Sequence, residues 1–191
     1  MALTFDDGPH PHGTPAVLRA LADARATATF YLVGEQVERW PSLAAEIAAA
    51  GHEIGLHGYR HRLLLRRSVP ELAQDLDRAF ELITGATGRE PVSYRPPYGV
   101  FSSGALRLVR RRGWRPLLWS RWGRDWGARE TAAAIARRAT RELEAGDVVL
   151  LHDADHYSAR DSWRRTVAAL PMVIAAVEAL GEPFVPVTES T

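Results

Sequence analysis

Met1-Ala2-Leu3-Thr4-Phe5-Asp6-Asp7-Gly8-Pro9 opens the chain with a short apolar run that ends in two adjacent carboxylates and a Gly-Pro turn. Two readings fit this stretch. Asp, Gly and Pro dominate surface turns, so the acids can simply mark a loop. Alternatively, the run is a strand that presents paired acids at its end, as a metal-assisted hydrolase often presents its first catalytic residues. Adjacent like charges disfavour each other's ionisation and are best tolerated beside a cation or a buried Arg. The rest of the chain decides between the two.

Further short apolar runs at 28–32, 53–56, 92–94, 116–119, 147–151 and 184–187 read as strands beside the first at 2–5. Between them lie amphipathic helical patterns at 15–24, 43–50, 69–84, 103–112, 130–144 and 163–180. Gly51, Gly113, Gly146 and Gly181 follow helical patterns, where C-terminal caps favour glycine. Ser68 with Glu71 spells a capping box, and Pro70 falls early enough in that helix to be tolerated. Alternating strands and helices imply an α/β fold with a parallel sheet or barrel. Seven strands without doubling back favour a small barrel. No repeat, low-complexity tract or linker interrupts the pattern, so one domain is expected over 1–191.

Composition narrows the function classes. Apolar residues make up 46% and charged residues 25% of the 191, as in ordinary globular proteins. Net charge is +1, from 24 basic and 23 acidic side chains, so no global field draws the chain to nucleic acid or membranes. Every basic residue is Arg. The absence of Lys excludes a lysine base or Schiff base, and the absence of Asn excludes N-glycosylation. Without Cys there is no disulfide, thiolate metal site or cysteine nucleophile. No run of about 18 apolar residues suggests a membrane span. The opening residues also lack a secretory leader, which fits either a cytoplasmic protein or an exported domain lacking its upstream segment.

Residue types suited to catalysis cluster at the strand ends. Asp6 and Asp7 follow the first strand, His57 and His61 the third, and Arg95-Pro96-Pro97-Tyr98-Gly99 the fourth. Asp125 and Trp126 come shortly after the fifth, and His152-Asp153 directly after the sixth. Strand C-terminal ends converge on one face of a β/α barrel, where active sites are built. His57 and His61 stand four apart, and on a helical turn they would share one face; alone this spacing is weak, but with Asp7 it makes a His₂Asp set with a position open for water.

The stretch 4–9, His57-Gly58-Tyr59-Arg60-His61, residues 95–98, Asp125-Trp126 and Leu150-Leu151-His152 resemble, in order, the motifs of the polysaccharide deacetylases. These are the NodB-homology enzymes of carbohydrate esterase family 4. The resemblance implies a distorted (β/α)₇ barrel, TIM-barrel-like, and metal-dependent removal of acetyl groups from N-acetylated and sometimes O-acetylated sugars. It implies one divalent metal ion, Zn²⁺ first with Co²⁺ or Ni²⁺ as alternatives, held by Asp7, His57 and His61. Asp6 takes the role of general base, paired with Arg95. Tyr98 offers its backbone N–H to the oxyanion. His152 is the general acid and Asp125 keeps it protonated. Trp126 and Leu150 line the groove and the acetyl-methyl pocket, although Leu150 reads equally well as core. The implied partner is an acetylated glycan, chitin-like or peptidoglycan, met by a monomer.

Two positions depart from the family pattern. Gly58 stands where a Ser or Thr usually braces the metal-ligand loop, so that support is missing or another group substitutes. Trp122 stands where a further Asp usually opens the fourth motif, which bears on substrate choice rather than on the reaction. The near alternative is an O-acetyl esterase on acetylated xylan or a related glycan. An alternative of another class is a non-catalytic carbohydrate-binding barrel, though binding alone needs neither Asp6 nor His152. Of the remaining histidines, His10, His12 and His156 read as solvated loop residues near the motifs and His52 as structural. The Arg runs at 110–112 and 137–138 read as solvated helix faces.

Overall fold

Strand β1 (Ala2–Asp6) sits in the middle of a parallel sheet, between β2 (Thr29–Leu32) and β7 (Val148–His152). Beyond β2 lie β3 (Glu53–Leu56), β4 (Ser93–Tyr94) and β5 (Arg115–Pro116); beyond β7 lies β6 (Arg121–Trp122). The computed structural model describes residues 1–189 in this arrangement. The order β5-β4-β3-β2-β1-β7-β6 places two strands consecutive in sequence at opposite sheet edges, and segment 117–120 spans the gap between them without a helix. This is the distortion of a (β/α)₇ barrel.

Helices α1 (Gly13–Asp23), α2 (Gly34–Arg39), α3 (Pro41–Ala49), α4 (Val69–Thr87), α5 (Ser103–Arg111), α6 (Ala132–Ala139) and α7 (Ser162–Ala179) form the outer layer. The period-two alternation of the strands separates two interiors. Leu3, Phe5, Phe30, Leu32, Ile54, Leu56, Val149 and Leu151 join the core cluster with Val17, Leu21, Ile47, Leu76 and Val173 of the helices. Phe5 and Phe30, partners in register, stack with centroids 5.1 Å apart. Each such side chain contributes about 1.5–3 kcal/mol by leaving water. The intervening residues Thr4, Asp6 and Tyr31 instead surround the Arg95 guanidinium inside the barrel. The capping box at Ser68 and Glu71 starts α4, and Gly88 ends it at φ 68°.

The sheet has seven strands, but one differs from expectation. Segment 184–187 is not a strand: Pro183 and Pro186 lack the N–H groups a ladder needs. It crosses the barrel floor instead, with Val185 N–H donating to Met1 O and Val187 N–H to Thr29 Oγ1. The seventh strand is β6, two residues without an apolar run to mark it. The run at 116–119 is strand only at Pro116, and the helix expected over 130–144 is shorter. Helix α2, six residues ended by Trp40-Pro41, was too short to show a period. No helix of the described residues is long and apolar enough to cross a membrane.

Candidate active site

The sheet brings all ten expected site residues to the C-terminal mouth of the barrel or directly beneath it. A cavity of about 290 Å³ opens there, lined by Asp6, Asp7, His57, His61, Tyr98 and His152, and by Leu150 and Trp126. The register aligns Asp6 with Tyr31 on one side and His152 on the other, which fixes acid and histidine on adjacent strands.

Arg95, directly after β4, is 0% exposed. Its Nη1 donates to Asp6 Oδ1 at 2.7 Å and Thr4 Oγ1 at 2.8 Å, and its Nη2 to Leu118 O at 3.0 Å. The guanidinium lies 4.1 Å from the Tyr31 ring centroid. A buried carboxylate and a buried cation thus satisfy one another, which is the condition under which either survives out of water. The paired acids are therefore a strand-end device and not a surface turn.

Asp7 turns away from Asp6 through a left-handed φ of 79°, a conformation that Asp tolerates better than most residues. Its Oδ1 lies 3.5 Å from His57 Nε2 and 3.4 Å from His61 Nε2, with no hydrogen-bond partner. The three ligand atoms all lie within 4.8 Å of one another. His57 Nδ1 donates to the Arg95 carbonyl at 2.7 Å, since a carbonyl can only accept. That bond leaves Nε2 with a lone pair aimed at the cluster, as a metal-ligating histidine requires. Burial pushes His61 down to about 4, so its ring is neutral at ordinary pH. Burial acts to raise Asp7, but the surrounding His57, His152 and His61 imidazoles hold it at about 2. An unpartnered buried carboxylate oxygen between two imidazole nitrogens fits a divalent cation.

On the other side of the cavity, His152 Nδ1 meets Asp125 Oδ1 at 2.9 Å. Asp125 Oδ2 accepts the His152 backbone N–H at 2.8 Å and the Thr166 hydroxyl at 2.7 Å. Burial opposes charge on His152, yet the Asp125 carboxylate outweighs it and the ring stays protonated up to about 10. Its Nε2 faces Asp7 Oδ2 across 4.0 Å.

Aromatic side chains shape the mouth. Tyr98, 60% exposed, holds a left-handed φ of 61° and packs 4.5 Å from the His61 ring. Gly99 is required beside it, because a Cβ there would lie 2.4 Å from the Trp119 ring. Trp126 meets His152 edge-on at 5.7 Å, and Trp122, 39% exposed, lies 5.3 Å from Trp126. Leu150 faces the cavity while its neighbours Val149 and Leu151 enter the core, so it lines the pocket.

The loop carrying His57 and His61 is braced without a hydroxyl at position 58. Gly58 adopts φ 87°, and its carbonyl accepts from Gly34 N–H at 2.9 Å. Asp75 of α4 accepts the Tyr59 N–H at 2.8 Å. These bonds hold the loop at Gly58 and Tyr59, while His61 Nδ1 is left without a hydrogen-bond partner. Three lining or supporting residues carried no sequence signal: Tyr157, stacked 4.3 Å from His61; Trp119; and Thr166. His10, read as solvated, is buried, and its Nε2 lies 3.1 Å from Asp155 Oδ1. His12 and His156 stay outside the cavity lining, and His52 accepts the Ala28 N–H within the core as expected.

Fold and site together define a barrel hydrolase with paired carboxylates and a charged histidine at one mouth. The polysaccharide deacetylase family model matches residues 1–117. A peptidoglycan-N-acetylglucosamine deacetylase of Bacillus cereus is 34% identical, covering 99% of this chain and 86% of that protein. A chitooligosaccharide deacetylase of Azorhizobium caulinodans is 35% identical, covering 94% and 88%. Among solved structures, the Bc1960 peptidoglycan N-acetylglucosamine deacetylase superposes with a TM-score of 0.92 at 30% identity, covering 99% and 86%. A family 4 acetyl xylan esterase from Clostridium thermocellum, in complex with a cobalt ion, gives 0.90 at 28% identity, covering 98% and 88%. The chain belongs to the polysaccharide deacetylase family, hydrolases acting on carbon–nitrogen bonds.

Proposed function

We propose that the chain is a divalent-metal-dependent N-deacetylase of acetylated amino sugars in a chitin-like or peptidoglycan glycan. The observation that carries this reading is the convergence on one cavity of Asp6 with Arg95, of Asp7 with His57 and His61, and of His152 with Asp125. Asp7, His57 and His61 would hold the metal. When bound, a divalent ion in such a set lowers the pKa of water and polarises a carbonyl oxygen. Zinc suits two imidazoles and a carboxylate, and cobalt, present in the acetyl xylan esterase structure, is an alternative.

The chain's own residues divide the proton chemistry. Arg95 occupies Asp6 Oδ1, leaving Oδ2 on the cavity side, 3.7 Å from His57 Nε2, to accept a proton from the attacking water. The Tyr98 backbone N–H donates to the developing oxyanion. His152 delivers its Nε2 proton to the sugar nitrogen, because an amine leaves only when protonated. Leu150 and Trp126 enclose the acetyl methyl, excluding water from that side of the bond.

Acetate release from chitooligosaccharides, with and without a chelator, tests the reading. Chelation should abolish release and added metal should restore it. Release that survives chelation, or that survives Asp6→Asn, would overturn the mechanism. The resemblance to an acetyl xylan esterase supports a second reading, O-deacetylation. An alkoxide leaves more easily than an amine, so comparing His152→Ala on N-acetyl and O-acetyl substrates separates the two: an amidase loses far more.

A further inference from the structure

Beside the catalytic cavity lies a second cleft of about 600 Å³, lined by His61, Arg62, Leu63, Arg66, Arg67 and Tyr98. His61 and Tyr98 belong to both, so the cleft continues the groove past the acetyl site. Its charge is one-sided. Among the described residues no carboxylate lies within ion-pair distance of Arg62, Arg66 or Arg67. Arg78, Arg112, Arg121 and Arg138 elsewhere on the surface each pair with an acid. Three guanidiniums within six residues thus line one cleft that adjoins the catalytic cavity, and no carboxylate shares its wall.

We infer that this cleft is a subsite for a carboxylate carried by the glycan, on a sugar next to the one being deacetylated. The inference rests on the deacetylase reading above and selects among its substrates. Chitin-like chains are neutral. Peptidoglycan chains carry a lactyl ether whose acid, free or extended by a peptide, presents a carboxylate on every second sugar. A guanidinium presents a planar fork that matches a carboxylate bidentately, and Arg62 and Arg66 are exposed and free to turn toward it. The metal-site carboxylates Asp6 and Asp7 are engaged by Arg95 and the histidines, so they do not repel an anion in the adjoining cleft at full strength.

The test compares three substrates by kcat/KM for acetate release: an N-acetylglucosamine–N-acetylmuramic acid tetrasaccharide, the same tetrasaccharide with its lactyl acids as methyl esters, and chitotetraose. The variant is Arg66→Gln/Arg67→Gln, which spares Arg62 beside His61. The wild-type protein should prefer the free acid to the ester by about fivefold to tenfold at low salt, the size expected of two partly exposed ion pairs. The preference should shrink as salt rises. The double variant should lose it while hydrolysing chitotetraose within about twofold of wild type, a control that also reports an intact fold. Arg66→Glu/Arg67→Glu should invert the preference. Equal rates on acid and ester in the wild type, or a double variant that loses all three substrates alike, would overturn the subsite. Release from none of the three would overturn the deacetylase reading and the subsite together.

Discussion

Two buried carboxylate–cation pairs face each other across the mouth, Asp6 with Arg95 and Asp125 with His152, and they are built for opposite purposes. The first uses a cation that cannot lose its proton, fully buried and bonded to Asp6, Thr4 and Leu118 O. The second uses a cation that can, held protonated up to about 10 by a carboxylate that burial would otherwise defeat. A fixed positive charge keeps its acid available as a proton acceptor. A titratable one turns its acid into a device for keeping a proton that can be given away. In the proposed mechanism the same physical motif therefore serves a base on one side of the cavity and an acid on the other.

The strongest way to break this division is at the reacting groups. Asp6→Asn removes the acceptor without changing shape and should lower kcat on chitooligosaccharides by about 10²–10⁴-fold. His152→Ala should cost a similar factor on the amide, measured by acetate release at saturating substrate. If both losses were below tenfold, neither side would be doing proton transfer.

Arg95 separates fold from chemistry. Arg95→Met leaves Asp6 buried without its partner, and losses of about 3–5 kcal/mol follow from breaking a buried pair on one side. Urea unfolding should show this drop, and Asp6→Asn added to the same chain should recover much of it, as a coupled pair demands. No recovery would mean that Arg95 acts mainly through Leu118 O and the Tyr31 ring. Asp125→Asn, by contrast, should move the pH profile more than the stability. Without that carboxylate, burial favours the neutral His152 ring, so its pKa falls from about 10 back toward 6.5. The protonated acid is then lost earlier, and the alkaline limb of kcat should shift to lower pH. An unmoved limb would remove Asp125 from its role.

The two sides also differ in how far the sequence displays them. Asp6, Asp7, His57, Arg95 and His152 are legible because each lies at or directly after a strand end, where spacing and polarity change together, and His61 through its four-residue spacing from His57. Their supports are not. Thr166 reaches Asp125 across 41 residues from the middle of an apolar helix face, and nothing local distinguishes it from a packing threonine. Tyr157 follows the last motif in a loop that the chain folds back over His61. The fold shows the same division. Apolar five-residue strands announce themselves, while β6 is two residues long and is defined by what it pairs with, and 184–187 has strand composition without the N–H groups a strand needs.

Thr166 offers the finest test of the comparison, because it touches the titratable pair without belonging to it. Its hydroxyl is one of two donors to Asp125 Oδ2, the other being the His152 backbone N–H. Thr166→Val keeps the shape and removes one donor, so Asp125 stays bonded to His152 through both oxygens. The expected cost is about 1–2 kcal/mol of stability, the range for losing one hydrogen bond to a charged acceptor. The alkaline limb should barely move, since the charge that holds the His152 proton is intact. A shift as large as that of Asp125→Asn would mean that the hydroxyl, rather than the carboxylate charge, sets the acid, and the symmetry between the two pairs would fail.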